Sequence, residues 1–350
     1  MDTSSKTVFV GLSGGVDSSV AALRLLKEGY NVVGVFIKVW HPDFLKCNWE
    51  EERLDAMRVA AHLNIPFLTC DAEEEYRTGV GEYFIKEYLE GRTPNPDVMC
   101  NKYVKFGAFL NFAKANGADF IATGHYAQVQ NDNGVYKLLR GKDQSKDQSY
   151  FLWTLTQNEL KHTIFPVGDT LKDDIRREAQ EAGIPTAVKK DSQGICFLGQ
   201  VDIPEFLSYF TKLEVGKVIN TSGEQIGTHR GALVYTLGQR HGFSISNNIS
   251  NVMPHYVVDR DLNENIITVD TTPPQINSND IITLENMNWM SNTSDKLEDL
   301  TAQFRYRQTP IPVNIYKKTL VPLIEIEKPA AGQSVVFYKG NECLGGGVIK

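Results

Sequence analysis

Short apolar runs alternate with longer segments of helical spacing through the first third of the chain. Four runs have the length and the branched side chains of buried strands: Val8–Val10, Asn31–Val39, Pro66–Cys70 and Phe120–Thr123. The segments with helical spacing lie between them at Val20–Leu26, Glu50–Leu63, Tyr76–Leu89 and Tyr103–Asn116. Strands that alternate with helices predict an α/β domain, in which a doubly wound parallel sheet carries helices on both faces.

The pattern changes at about Ile203. Beyond this point the polar and apolar positions alternate in short runs, and Gly, Asn and Thr turns separate them. The C-terminal runs at Ala302–Tyr306, Val313–Tyr316, Leu323–Ile326, Val335–Tyr338 and Leu344–Ile349 are evenly spaced, which predicts a small β-barrel. We therefore expect three domains, at residues 1–202, 203–272 and 273–350.

The first strand leads into a glycine-rich turn and then a helix. Residues 11–19 read GLSGGVDSS, and this layout is typical of a phosphate site because glycines let the backbone approach an anion at a helix N-terminus. The loop lacks the lysine of a Walker motif and the spacing of a dinucleotide fingerprint. Asp17 is the best single candidate ligand for a metal ion held on the phosphates. An ordinary strand-to-helix turn is the alternative interpretation.

Two of the five cysteines lie in sequence contexts that favour reactivity. Cys100 follows Asn95-Pro96-Asp97 and precedes a predicted helix, whose dipole favours a thiolate. Asp97 is a candidate general base or orienting group. Cys196 lies in a polar, glycine-containing stretch at residues 186–199, which we expect to be a mobile loop. A buried cysteine is the alternative for Cys100, and Cys47, Cys70 and Cys343 are expected to be structural thiols.

Composition narrows the class of protein. A hydrophobic share of 41% and a charged share of 23% are ordinary for a globular chain, and the net charge of −7 gives no general sign of nucleic-acid binding. No apolar run is long enough for a membrane span, and the first strand begins too early for a signal peptide. We therefore expect a cytoplasmic protein without membrane contact, in which any RNA contact comes from local patches.

Eight segments, in order, resemble the tRNA-specific 2-thiouridylase family within the PP-loop ATP pyrophosphatase superfamily. They read GLSGGVDSSV, NPDVMCNKYVKF, ATGHYA, KDQSYFLW, DSQGICFLG, YTLGQRHGF, RYRQ and ECLGGGVI, and they span nearly the whole chain. The resemblance implies a nucleotide α-hydrolase-like catalytic domain, a small central domain and a C-terminal β-barrel. It also implies a reaction in which ATP adenylates O2 of the wobble uridine of tRNA. Persulfide sulfur then displaces AMP, giving 2-thiouridine.

The resemblance assigns roles to particular residues. Asn95, Pro96 and Asp97 would hold the target base, Cys100 would be the nucleophile, and Cys196 would carry the persulfide and form a transient disulfide with Cys100. The residues that would bind ATP are Gly11, Leu12, Ser13, Gly14, Gly15, Val16, Asp17, Ser18, Ile37 and Gly124. The residues that would contact tRNA are His125, Lys146, Asp147, Gln148, Arg305, Tyr306 and Gln333. Taken singly, each tRNA contact has a structural alternative, such as a solvated surface residue.

The resemblance also implies cofactors and partners. ATP is the expected co-substrate, with Mg²⁺ beside it, and the tRNAs for Lys, Glu and Gln are the expected acceptors. A cysteine desulfurase or a sulfur relay protein would supply the persulfide. One rival is another PP-loop enzyme, a ligase that adenylates a small carbonyl substrate and needs neither Cys100 nor Cys196. A second rival is an RNA-binding protein with a vestigial nucleotide site, which the intact Ser13, Asp17 and Ser18 disfavour.

Overall fold

The computed structural model describes residues 6–44, 49–190, 202–246, 253–278, 280–291 and 296–350, and of residues 296–299 the backbone alone. Both Cys47 and Cys196 therefore lie outside the described residues, as does most of the loop expected at residues 186–199. Within the described ranges, no helix has the length and apolar character that crossing a membrane requires.

A five-stranded parallel sheet forms the first domain, in the order β3-β2-β1-β4-β7. Its strands are β1 (Thr7–Gly11), β2 (Asn31–Lys38), β3 (Phe67–Asp71), β4 (Phe120–Ala122) and β7 (Thr163–Ile164). Alternate residues of β1 face different cores: Val8 and Val10 pack on one side of the sheet and Phe9 on the other. The predicted doubly wound α/β domain is confirmed.

Helices cover both faces of this sheet. They are α1 (Val16–Lys27), α2 (Trp49–His62), α3 (Glu73–Tyr76, continued by a π-helical stretch Arg77–Glu82 and by Tyr83–Leu89), α4 (Pro96–Met99, continued by a π-helical stretch Cys100–Ala108 and by Phe109–Ala115), α5 (Gln157–Lys161) and α6 (Lys172–Glu181). Helix α4 begins seven residues earlier than the predicted start at Tyr103, so Asp97 and Cys100 lie inside the helix and not before it. Asn95 caps this helix, since its side chain accepts a hydrogen bond from the Val98 N–H at 3.3 Å.

The central domain is a second sheet, in the order β10-β9-β8-β12-β11. It contains β8 (Gly216–Asn220), β9 (Gln225–His229), β10 (Phe243–Ile245), β11 (Tyr256–Asp261) and β12 (Ile266–Asp270), preceded by helix α7 (Ile203–Ser208). Its core joins Phe206 and Leu207 of α7 to Phe84 and Tyr88 of α3. The central domain therefore packs on the helix that leads into the Asn95 loop.

Six strands close the predicted C-terminal barrel, because the first of them, β14, pairs with the last, β20. The barrel strands are β14 (Ile282–Trp289), β15 (Lys296–Gln303), β16 (Ile311–Tyr316), β17 (Thr319–Pro322), β19 (Ser334–Lys339) and β20 (Glu342–Ile349), and a short pair, β13 (Gln275–Ile276) with β18 (Ile326–Glu327), lies beside them. Two predicted boundaries are wrong. Leu323 lies after β17, and β15 ends at Gln303, so Arg305 and Tyr306 lie in the turn that follows it.

Strands β5 (Ala127–Asp132) and β6 (Val135–Arg140) form a hairpin with Asn133-Gly134 at its turn. The pairing of this hairpin with the barrel was not predicted. Glu342 and Cys343 at the start of β20 pair with Leu139 and Leu138 of β6, so the catalytic-domain hairpin extends the sheet of the barrel. First and third domains are thus joined through one continuous eight-stranded sheet.

Candidate active site

The glycine-rich loop joins the carboxyl end of β1 to the start of α1. Gly14 adopts φ +69°, a left-handed conformation that glycine takes without strain. Gly15 is the N-cap of α1, and no side chain caps that helix end. The N–H groups of the first turn therefore face the loop without a side-chain acceptor, which is the arrangement that binds an anion.

Serine hydroxyls hold the loop in shape. The Ser13 N–H donates to Ser18 Oγ at 3.3 Å, and the Gly15 N–H donates to Ser13 Oγ at the same distance. The hydroxyls of Ser18 and Ser19 both donate to the Gly15 carbonyl, at 3.2 and 2.8 Å. Gly15 is thus held through both its N–H and its carbonyl by the serines that flank it, which fixes the shape of the loop.

Asp17 has a cationic partner that the sequence analysis missed. Lys172 Nζ, at the start of α6, donates to Oδ1 and Oδ2 of Asp17 at 2.7 and 2.8 Å, and the Tyr126 hydroxyl donates to Oδ1 at 2.7 Å. The Lys172 side chain is 8% exposed and that of Asp17 is 30% exposed. A buried ammonium therefore lies at the entrance of the phosphate loop and offsets the carboxylate charge. Within the described ranges, no three His, Cys, Asp or Glu side chains converge as a metal site would require.

Gly124 follows β4 and lies against the first turn of α1. A Cβ atom on Gly124 would be 2.7 Å from the Ser18 nitrogen and 2.8 Å from the Asp17 carbonyl carbon, both of them backbone atoms. Only glycine lets the two chain segments approach so closely. Because β1 and β4 are neighbours whose connections leave on opposite sides, this contact marks the crevice where a doubly wound sheet binds its ligand.

Ile37 forms an apolar wall beside this crevice. It lies at the end of β2 and is buried, and its Cδ1 would be 3.7 Å from a Cβ on Gly11. Cε1 of Phe109, in α4, would be 3.5 Å from the same Cβ on Gly11. An apolar wall next to a phosphate loop suits a flat purine ring, and the contact of Ile37 with adenine stays a prediction.

The start of α4 carries the loop proposed for the target base. Asn95 is buried, and the Tyr150 hydroxyl is hydrogen-bonded to its side chain. The Tyr150 hydroxyl also donates to the carbonyls of Ser334 and Phe304, at 3.0 and 3.3 Å. The loop is therefore anchored to the barrel domain through one tyrosine side chain.

Cys100 lies where α4 changes from α-helical to π-helical geometry. Its side chain is fully buried within the apolar cluster that includes Val104 and Phe106. Helix α4 runs antiparallel to the sheet and reaches the carboxyl end of β1 at Phe109. Cys100 is nine residues nearer the helix start than Phe109. It therefore lies on the order of 12 Å beyond the carboxyl end of β1. A π-helical insertion at such a place is typical of functional sites.

The other two described cysteines lie deep in the protein. Burial raises the pKa of Cys70 to about 12, with a further contribution from Glu75 and Asp71, and burial also raises the pKa of Cys343 to about 12. Both are free thiols. They stay protonated at neutral pH, which agrees with the structural role predicted for them.

His125 is buried, whereas a tRNA contact was predicted for it. Its Nδ1 is 2.7 Å from the Thr123 hydroxyl, and its ring packs against Phe106 and Phe165. Burial holds the pKa of His125 well below its ordinary value, and Lys105 lowers it further. The imidazole is therefore neutral at physiological pH and offers no charge to a phosphate, so its contact with tRNA stays a prediction that burial disfavours.

Asp147 and Gln148 both make hydrogen bonds within the protein. The Asp147 carboxylate is buried, pairs with Arg140 at 2.9 Å, and accepts hydrogen bonds from the Gly141 N–H and from the Ser149 N–H and hydroxyl. Gln148 Oε1 accepts a hydrogen bond from the Tyr126 N–H at 2.9 Å. The charge of Arg140 is thus neutralised by Asp147. Lys146 and Gln148 are both half-buried, and the tRNA contacts of all three residues stay predictions.

Arg305, Tyr306 and Gln333 lie together where the barrel meets the Asn95 loop. Gln333 Nε2 donates to the Thr93 carbonyl at 3.1 Å. The Tyr306 ring packs on Phe151, with 4.5 Å between ring centroids, and Arg305 pairs with Glu327 at 2.7 Å. Gln333 therefore contacts the target-base loop directly, and Tyr306 packs near Tyr150, which anchors that loop; the tRNA contacts of all three residues stay predictions.

Comparison with known proteins covers the whole chain. Family models described as tRNA methyl transferase HUP domain, tRNA methyl transferase PRC-barrel domain and aminomethyltransferase beta-barrel domain match residues 6–200, 204–271 and 279–349. A curated relative from Lacticaseibacillus paracasei, named tRNA-specific 2-thiouridylase MnmA, is 44% identical over 360 residues, which cover 100% of this chain and 95% of the relative. A relative of the same name from Bacillus cytotoxicus is 45% identical over 351 residues, 98% of this chain and 94% of the relative.

Proposed function

The chain belongs to the tRNA-specific 2-thiouridylase family, and from this we infer that it is an ATP-dependent tRNA-uridine sulfurtransferase. It adenylates O2 of the wobble uridine and replaces that oxygen by sulfur, releasing pyrophosphate and then AMP. The observation that carries the proposal is the arrangement along α4. Phe109 of this helix borders the predicted adenine site, and the buried Cys100 lies about two turns nearer the helix start, beside the Asn95 loop.

The first half-reaction uses the phosphate loop. Serine hydroxyls and the N–H groups of α1 bind the triphosphate, and the Lys172 ammonium stabilises the negative charge that develops on the departing pyrophosphate. If Mg²⁺ binds with ATP, the Asp17 carboxylate and phosphate oxygens are its expected ligands, and the ion would add positive charge at the same place. Lys172 would then be released from Asp17 to contact the phosphates. Uridine O2 attacks the α-phosphorus, and the bond to pyrophosphate breaks.

The second half-reaction uses the cysteines. Adenylation turns the poor leaving oxygen at C2 into AMP, so that a sulfur nucleophile can add and AMP can leave. Two routes of sulfur transfer are consistent with the two cysteines, Cys100 and Cys196. In one, Cys100 attacks the persulfide on Cys196 and frees hydrosulfide, which adds to C2. In the other, the persulfide adds directly and Cys100 then breaks its S–S bond. Both end in a Cys100–Cys196 disulfide, which a thiol reductant must reduce before the next turnover.

Asp97 and the expected partners complete the proposal. Asp97 would assist proton transfer at the target base, in the first turn of α4. The tRNAs for Lys, Glu and Gln are the proposed acceptors, and a cysteine desulfurase or sulfur relay protein is the proposed donor of persulfide. We expect the reaction to take place in the cytoplasm, where tRNA and ATP are found.

The test is nucleoside mass analysis of unmodified tRNA after incubation with the protein, ATP and a persulfide source. The wobble uridine should gain the mass difference between sulfur and oxygen, and AMP should appear in equal amount. Cys100→Ser and Cys196→Ser should abolish the gain, whereas Cys70→Ala, which removes a thiol already protonated in the core, should retain it. The proposal fails if the serine variants thiolate tRNA as well as the parent protein does.

The same experiment separates the alternatives. The descriptions of two family models name methyl transfer to tRNA, which would add the mass of a methyl group and would not consume ATP. A small-molecule ligase would split ATP without tRNA and would be insensitive to both serine substitutions. An RNA-binding protein with a vestigial nucleotide site would bind tRNA and produce no AMP.

A further inference from the structure

Helix α3 ends in a glycine that sets the direction in which the chain leaves the helix. The Gly91 N–H donates to the Tyr88 carbonyl at 2.8 Å, and Gly91 adopts φ +72°. The Arg92 N–H donates to the Glu87 carbonyl at 2.7 Å. These two hydrogen bonds form a Schellman motif, which closes the last turn of a helix and leaves the glycine carbonyl for another partner. The conformation at Gly91 therefore decides where the loop that leads to Asn95 begins.

Arg260 of the central domain binds the Gly91 carbonyl. Its Nη2 donates to that carbonyl at 2.7 Å, and its Nη1 donates to the carbonyl of Tyr235. Arg260 lies in β11, and Tyr235 lies in the connection between β9 and β10. One guanidinium thus joins the backbone of its own domain to the end of α3. The planar, fixed arrangement of its donors makes such a two-point contact directional.

The central domain holds the end of α3 at two further points. A Cβ on Gly91 would be 2.4 Å from Cδ1 of Leu262, the residue that follows β11. Nearer the start of the helix, the Phe84 ring packs edge-on against Phe206 of α7, with 5.6 Å between the ring centroids. Polar and apolar contacts therefore fix the last two turns of α3 to the central domain.

Only four residues separate this contact from the proposed base-holding residue. Thr93, two residues after Gly91, also touches the central domain, because its hydroxyl is 2.9 Å from that of Thr236. Asn95 then caps α4, whose first turn contains Asp97. A displacement of Gly91 would therefore reach the residues that are proposed to hold the target uridine.

We propose that Arg260 is a positioning residue for the adenylation step, and that the central domain acts on this step through the protein chain. The proposal rests on the proposed function, and it gives Arg260 a role that needs no contact with RNA. Arg260 fixes the carbonyl of Gly91, and Gly91 sets the course of the loop. The loop in turn places uridine O2 in line with the α-phosphorus, and such alignment of reacting atoms is a large part of the rate of a transfer reaction.

The test measures AMP release in a single turnover at saturating tRNA and ATP. Arg260→Met removes both hydrogen bonds and keeps a long side chain, whereas Arg260→Lys keeps a cation that can bind one of the two carbonyls. We expect the rate constant of Arg260→Met to fall about tenfold to one hundredfold, because this is the cost of a displacement on the order of 1 Å between reacting atoms. Arg260→Lys should recover part of the loss. ATP affinity by calorimetric titration should equal that of the parent, since both bonds of Arg260 go to residues outside the phosphate loop.

Hydrogen–deuterium exchange locates the change within the protein. The N–H groups of residues 91–93 are all hydrogen-bonded, and in Arg260→Met they should exchange faster than in the parent. The N–H groups of β8 and β12, in the same domain as Arg260, should stay protected. Lys217→Met is the matched control: it removes an exposed positive charge from β8 and should change neither AMP release nor the exchange of residues 91–93.

Two results would overturn the proposal. In the first, Arg260→Met releases AMP at the rate of the parent. In the second, AMP release slows while residues 91–93 exchange as in the parent, so the loss has a cause other than the loop. If β8 and β12 also exchange faster in Arg260→Met, the domain has loosened as a whole, and Arg260→Lys is judged by the same two criteria.

Failure of this proposal differs from failure of the proposed function. The proposed function fails if the parent protein itself releases no AMP with tRNA and adds no sulfur to it. The positioning role fails if the parent protein is active and the Arg260 variants match it in rate.

Discussion

Gly124 offers a sharp test of how the ATP site is assembled. In Gly124→Ala, the new Cβ would lie 2.7 Å from the Ser18 nitrogen, while ordinary contact begins at 3.4 Å. The difference requires a shift of about 0.7 Å, and both nearest atoms belong to the backbone, so no side chain can rotate away. Either the loop after β4 or the first turn of α1 must move.

The cost follows from the size of this shift. Overpacking of this kind costs about 1–3 kcal/mol. If the displacement falls on the N–H groups that bind phosphate, the loss appears in ATP affinity as a factor of about ten to one hundred. We expect calorimetric titration with ATP to show this weakening, together with a matching rise in the KM for ATP during AMP release.

Gly134→Ala is the matched control. Gly134 lies in the hairpin turn, where a Cβ would meet nothing within 4 Å, and its positive φ makes the substitution locally strained without any contact to α1. Its ATP affinity should equal that of the parent. If Gly124→Ala binds ATP as tightly as the parent, the packing of Gly124 against α1 does not position the phosphate site, and our description of the crevice is wrong.

Three further predictions concern single side chains. Lys172→Met should weaken ATP binding about tenfold or more, because it leaves the Asp17 carboxylate unneutralised beside the phosphates, whereas Met in place of the exposed Lys142 should not; titration with ATP measures both. Asp147→Ala should lower the free energy of unfolding by about 3 kcal/mol because it strands the mostly buried Arg140, and denaturant unfolding would contradict this if the loss were below about 1 kcal/mol. His125 should make stability fall on acidification: its folded-state pKa lies below the unfolded value, so its contribution is complete above about pH 6.5 and declines by about 1.4 kcal/mol per pH unit below that. Unfolding of the parent and of His125→Gln at pH 7.5 and 5.5 should show the larger loss in the parent, and equal losses would refute this.

Local patterns were enough to predict four of the five strands of the first sheet, whereas the two-residue edge strand β7 is too short to show a pattern. Buried strands such as Val8–Val10 carry their signal within a few residues, and the glycine-rich turn after the first strand is itself a local motif. The true start of α4 was also within reach, since Asn95 followed by Pro96 is a typical N-cap with proline in the first turn. Hydrophobic spacing alone placed that start at Tyr103, because the first turn of α4 is too short to show a period.

Contacts between distant parts of the chain could not be predicted. Lys172 is 155 residues from Asp17, and nothing in its neighbourhood distinguishes it from other lysines at helix starts. The burial of His125 and Asp147 depends on packing partners from other elements. The short motifs around them therefore predicted exposed residues at positions that the fold buries. The turn after β15 was missed because the apolar–polar alternation of Ala302–Tyr306 continues for three residues beyond Gln303, the last residue of the strand that pairs with β19.

The hairpin that extends the barrel sheet has a consequence for dividing this protein into pieces. Its second strand, β6, pairs with β20: Leu139 is opposite Glu342, 203 residues further along the chain. A fragment that ended after the first domain would expose the backbone N–H and C=O groups of β6 as an open edge, and open edges recruit other strands and promote aggregation. During synthesis this edge of β6 stays unpaired until β20 has been made. The first domain therefore reaches its final form only when β20 has been made, and expression of the catalytic part alone should yield insoluble material.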